Sequence, residues 1–82
     1  MQIIFEATIK VNEIGGWYLQ VEDTISKKTQ KCNNMEEFSV AIEEMSKEYN
    51  GNIDEIKWKV DLDVTSEQII EVKEKLLANY FQ

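Results

Sequence analysis

The chain has no histidine and no proline, one cysteine, and only three glycines among 82 residues. Without histidine, the side chain best suited to proton transfer near neutral pH is missing, which argues against ordinary acid–base catalysis. A lone Cys32 excludes an intrachain disulfide and makes a reducing cytoplasm the natural home. No apolar run approaches the roughly 18 residues of a membrane span, and the N-terminus lacks the pattern of a secretory signal. Cationic surplus is missing too. With 16 acidic and 9 basic residues the formal charge is −7, which disfavours direct contact with nucleic acid. No linker, internal repeat or low-complexity tract interrupts the chain, so residues 1–82 are expected to form a single domain.

What is present is hydrophobic patterning. Ile3, Phe5, Ala7, Ile9 and Val11 alternate with polar residues, and so do Ile56, Trp58, Val60, Leu62 and Val64. Period-two alternation is the mark of a strand with one buried face. It predicts strands over about Gln2 to Asn12 and Ile53 to Val64, with Trp58 central and buried beneath the helices. A further strand starts at Trp17, where Trp17, Leu19 and Val21 share a face. Gly15-Gly16 suggests a two-residue hairpin, but parity opposes it, because that loop would set apolar residues against polar ones. A three- or five-residue loop keeps odd opposite odd, and a type I turn with Gly16 left-handed is expected. Asp23 then falls on the apolar face unless a bulge or the end of pairing releases it. Thr29 to Cys32 is read as a short edge strand.

Two segments show helical spacing. Met35, Phe38, Ala41, Ile42, Met45 and Tyr49 fall on one arc, after an asparagine cap at 33 or 34 and before Asn50-Gly51. Thr65-Ser66-Glu67-Gln68 is a capping box that opens a last helix to about Tyr80. Its apolar arc is broader than the first: Ile69, Val72, Leu76 and Tyr80 form one stripe, and Ile70, Leu77 and Phe81 a second. The order β-β-(β)-α-β-α predicts an α+β fold. In it, a mostly antiparallel three- to four-stranded sheet carries both helices on one face. The last strand is expected to join beside the first through a right-handed crossover, giving the order 3-2-1-4.

Chemistry-bearing motifs are sparse. Val60-Asp61-Leu62-Asp63-Val64-Thr65 resembles the Asp-x-Asp-x-Thr/Val signature of haloacid-dehalogenase-type phosphatases. The resemblance implies Asp61 as nucleophile and Asp63 as acid–base beside magnesium. It covers six residues, and that family builds the motif into the first strand of a large parallel domain for which there is no room here. Cys32 has no histidine partner and no obvious activating environment; Lys28 and Lys31, near it in sequence, are the only groups there able to lower its pKa. No EF-hand or phosphate-loop spacing occurs. No catalytic residue, cofactor or metal is therefore expected.

Two surfaces remain as candidate partner contacts. One is the second stripe of the last helix, Ile70, Leu77 and Phe81, suited to a protein partner or to a homodimer. The other is the acidic face of the first helix, Glu36, Glu37, Glu43, Glu44 and Glu48. The order of elements is similar to that of HicB-type antitoxin domains, which also place a helix and a strand after a strand meander. The expectation is a small, cytoplasmic, non-catalytic interaction or regulatory domain. Its alternative is an acidic inhibitor that occupies a basic nucleic-acid-binding site on its target.

Overall fold

The odd-numbered stripe of the first strand becomes the floor of the core, with Phe5, Ala7 and Ile9 at 0–3% exposure. A computed structural model describes residues 2–80, with side chains through Leu76. It contains strands β1 (Ile4–Val11), β2 (Trp17–Asp23), β3 (Thr29–Cys32) and β4 (Glu55–Val60). Helix α1 (Met35–Ser46) is prolonged by a 3₁₀ turn, Lys47–Tyr49, and α2 spans Ser66–Tyr80. The sheet order is β3-β2-β1-β4, antiparallel except for β4, which runs parallel to β1. This is the expected α+β fold. Leu19, Val21, Cys32, Met35, Phe38, Ala41 and Val72 complete the core, so both helices contribute to the same side of the sheet.

Parity sets the first hairpin. Val11 pairs with Trp17, Ile9 with Leu19 and Ala7 with Val21, leaving the five residues 12–16 as the loop. The left-handed glycine is Gly15, at φ +84°, and not Gly16 as the turn type suggested. The reason is Asn12. Its side-chain oxygen accepts the N–H of Ile14 and of Gly16, which fixes the turn one residue earlier. Gly15→Ala should cost about 1 kcal/mol through backbone strain, because no heavy atom lies within 4 Å of the added Cβ. A thermal melt that left the transition unmoved would show this turn to be malleable.

Both helix starts form as the sequence indicates. Asn34 accepts the N–H of Glu37 at 2.8 Å, and Thr65 and Gln68 exchange the reciprocal bonds of a capping box. Gln68 also donates to the Gly15 carbonyl, which ties the start of α2 to the first hairpin. Asn50 and Gly51 adopt left-handed backbone at the end of the 3₁₀ turn, and the Gly51 N–H closes on the Ser46 carbonyl.

β2 continues unbroken through Asp23, so neither a bulge nor the end of pairing releases it and it falls on the buried face. It pairs with Phe5 and is 1% exposed. Its carboxylate is satisfied instead, accepting from the hydroxyls of Tyr49 (2.6 Å) and Ser26 (2.9 Å) and from the N–H of Ile25 (2.9 Å). Burial pushes its pKa up, but the bonds from Tyr49, Ile25 and Ser26 outweigh that and hold it below the ordinary 3.8.

The largest correction concerns the second stripe. β4 ends at Val60, and Leu62 and Asp63 lie in a turn, with Leu62 fully exposed. Trp58 faces the helices, its ring 5.4 Å from Phe38 between centroids, yet it remains 39% exposed. The stripe faces the helices as its alternation predicts; its burial is limited because β4 is an edge strand, covered from above and open at its flank.

Candidate functional site

β4 is held against β1 from both ends. Asp54 accepts the Ile3 N–H at 2.6 Å, the Glu55 N–H reaches the Ile3 carbonyl, and the Asp61 N–H donates to the Ile9 carbonyl at 3.0 Å. Odd residues of β4 thus turn their backbone groups inward to β1. By the alternation of a ladder, Ile56, Trp58 and Val60 turn theirs outward, to the open flank. Among the described strands, nothing pairs with that flank.

The flank has chemically distinct sides. Toward the helices, Phe38, Ile53, Ile56, Trp58 and Leu76 line an apolar groove of about 440 Å³, with Asp54 and Glu55 at its rim. By the alternation of the strand, the side chains of Glu55, Lys57 and Lys59 project from the opposite side of the sheet, where Lys59 pairs with Glu6 of β1 at 3.2 Å. The other sheet edge, β3, has four residues to the six of β4, and only Cys32 of them is buried. A long edge beside apolar surface is the kind that accepts an added strand.

The acidic face of α1 is exposed throughout, and Glu36, Glu37 and Glu44 line a groove of about 550 Å³ with Val40, Ala41 and Met45. Three of its carboxylates already serve the chain: Glu37 accepts from the Asn33 N–H, Glu44 pairs with Lys47, and Glu48 pairs with Lys28. Of the second stripe of α2, Ile70 is 55% exposed. Phe81 and the side chain of Leu77 lie outside the described residues.

The remaining motifs are placed differently from expectation. Asp61 and Asp63 do not project together from a strand, since β4 stops before them, and Asp61 faces Lys10 at 3.6 Å. Cys32 is fully buried, and its thiol pKa is pushed up by burial and by the nearby Glu37 charge, not lowered by Lys28 and Lys31. Among the described residues, no cluster of three or more acidic or cysteine side chains is disposed to hold a metal ion. No helix there is long and apolar enough to cross a membrane. No protein family, curated protein or solved structure matches this chain.

Pattern reading missed the β4 edge because edge position is a property of the sheet and not of the strand. One signal was available: β4 closes the predicted order 3-2-1-4, so its clean apolar stripe had no neighbour on one side.

Proposed function

We propose that this chain is a small, non-catalytic protein–protein interaction domain whose working surface is the open flank of β4. The observation that carries this reading is the coincidence of outward-facing backbone groups at Ile56, Trp58 and Val60 with the half-exposed Trp58 and the adjoining groove. Main-chain hydrogen bonds to an added strand would supply affinity, and the groove would select its apolar side chains. In this reading Ile70 of α2 is a second apolar contact. The alternative is an acidic inhibitor that uses Glu36, Glu43 and Glu44 of α1 to occupy a basic nucleic-acid-binding site on its target.

Salt and substitution separate the two. A partner captured from cell extract on the immobilised chain should persist through high-salt washes if the edge holds it, and should be released if carboxylates do. Val60→Pro removes an outward N–H while leaving the ladder to β1 intact, and should abolish capture through the edge. Ile70→Glu should weaken it. Capture that survives Val60→Pro but is lost when Glu36, Glu43 and Glu44 become glutamine would refute the edge and support the acidic face.

A further inference from the structure

We infer that the strand added to β4 is the β4 of a second copy of this chain, paired antiparallel about Lys57 so that one sheet runs through both copies. This rests on the reading of β4 as the binding edge and goes beyond it by identifying the occupant.

The argument is one of register. Outward-facing backbone groups sit on even residues, so hydrogen-bonded pairs across the flank must match even with even. Facing residues also share a side of the sheet, so a two-fold axis normal to the sheet must pass beside a residue of β4. Centred on Lys57, the pairing sets Ile56 opposite the partner's Trp58 and Glu55 opposite the partner's Lys59. Each match occurs twice. Within 55–59, apolar meets apolar on the groove side and opposite charges meet on the other, while Val60 faces the partner's Asp54 at the end of the overlap. Centred on Trp58, the groove side stays apolar, but the polar side sets Lys57 against the partner's Lys59 twice and Glu55 against the partner's Asp61 just beyond the strand, so every charged match is repulsive. Centred on Ile56, it overlaps over 55–57 alone within the strand and sets Asp54 against the partner's Trp58.

Lysines on an edge strand ordinarily guard it against pairing. Glu55 changes that here. Negative at one end and positive at the other, the polar side of β4 is complementary to itself when reversed about its middle. The Lys57 pair on the axis is the unfavourable contact, moderated by Glu55 two residues away on each strand and by Glu6 beside it on β1. Lys59, already 3.2 Å from Glu6, would lie between two carboxylates.

Sedimentation of the purified full chain, from low micromolar to near-millimolar concentration, tests the pairing. Wild type should dimerise. Glu55→Lys and Lys59→Glu should each weaken dimerisation on the order of tenfold, since each turns two attractive pairs repulsive. An equimolar mixture of these variants should recover association as a heterodimer, and the double reversal should recover it as a homodimer. Lys57→Gln should tighten it. Circular dichroism should show all variants folded, because these side chains are exposed. A wild type that stays monomeric throughout overturns self-pairing, while the edge reading is still decided by the Val60→Pro capture. A dimer indifferent to both charge reversals uses another surface and equally overturns the proposal.

Discussion

Asp23→Ala is expected to lower the unfolding free energy by about 2–4 kcal/mol, since hydrogen bonds to a buried charge are worth more than neutral ones and their loss orphans the donors. The carboxylate gathers the hydroxyls of Tyr49 and Ser26 with the N–H groups of Ile25 and Ser26, and so ties the β2–β3 turn to the end of α1. Tyr49 also packs its ring against Phe5 at 6.3 Å, which makes the tie part of the core. Tyr49→Phe should cost less, because the other donors to Asp23 remain.

The same network sets a pH dependence at each extreme. The pKa of Asp23 is lower in the folded chain than the ordinary 3.8, so its contribution is present above about pH 4 and disappears as pH falls through the folded value. The hydrogen bond to Asp23 and burial push the Tyr49 pKa up from 10.0 to about 12. A raised pKa gives stability that is complete below pH 10 and lost as pH rises toward 12. Urea midpoints measured against pH should show both losses. Tyr49→Phe should remove its share of the alkaline loss and also shrink the acid limb, because the Tyr49 hydroxyl is the foremost of the bonds that lower the Asp23 pKa against burial. An Asp23→Ala midpoint matching wild type at neutral pH would mean that the network contributes nothing net.

Which of these features the sequence made legible follows from how locally each is determined. Stripes at period two and period 3.6 report a face directly, and parity alone excluded the two-residue hairpin that Gly15-Gly16 suggests. Caps at Asn34 and Thr65 are decided within four residues and were readable as such. Asp23 was harder. Whether a carboxylate stays on an apolar face depends on a donor at Tyr49, 26 residues away, which no local pattern announces. The end of β4 was missed because Leu62 and Val64 continue the alternation in sequence after the backbone has turned. Burial of the second stripe failed for a related reason, since alternation predicts which way side chains point and the neighbouring elements determine how deeply they are covered. The site inherits that limit: Trp58 looked like core from its neighbours in sequence and lies at a margin because of its neighbours in space.

Phe38→Ala should be among the most damaging single substitutions, at about 3–5 kcal/mol, the usual cost of truncating a fully buried aromatic. Phe38 is 1% exposed and stands where α1, β4 and α2 meet: it packs on Trp58 and shares the groove lining with Ile56 and Leu76. Its removal leaves a void that three elements cannot all move to fill. Trp58→Ala should cost about 1–2 kcal/mol, despite the larger ring, because part of the indole already meets solvent and little cavity forms at an open margin. The two rings touch, so their effects should not add: the double variant should cost about 0.5–1.5 kcal/mol less than the sum of the singles. Denaturant midpoints for the four proteins, measured at concentrations too low for association, give the cycle. A Trp58→Ala cost equal to that of Phe38→Ala would place the indole in the core and close the flank on which the binding edge depends. The smaller cost leaves Trp58 free to exchange solvent for a partner.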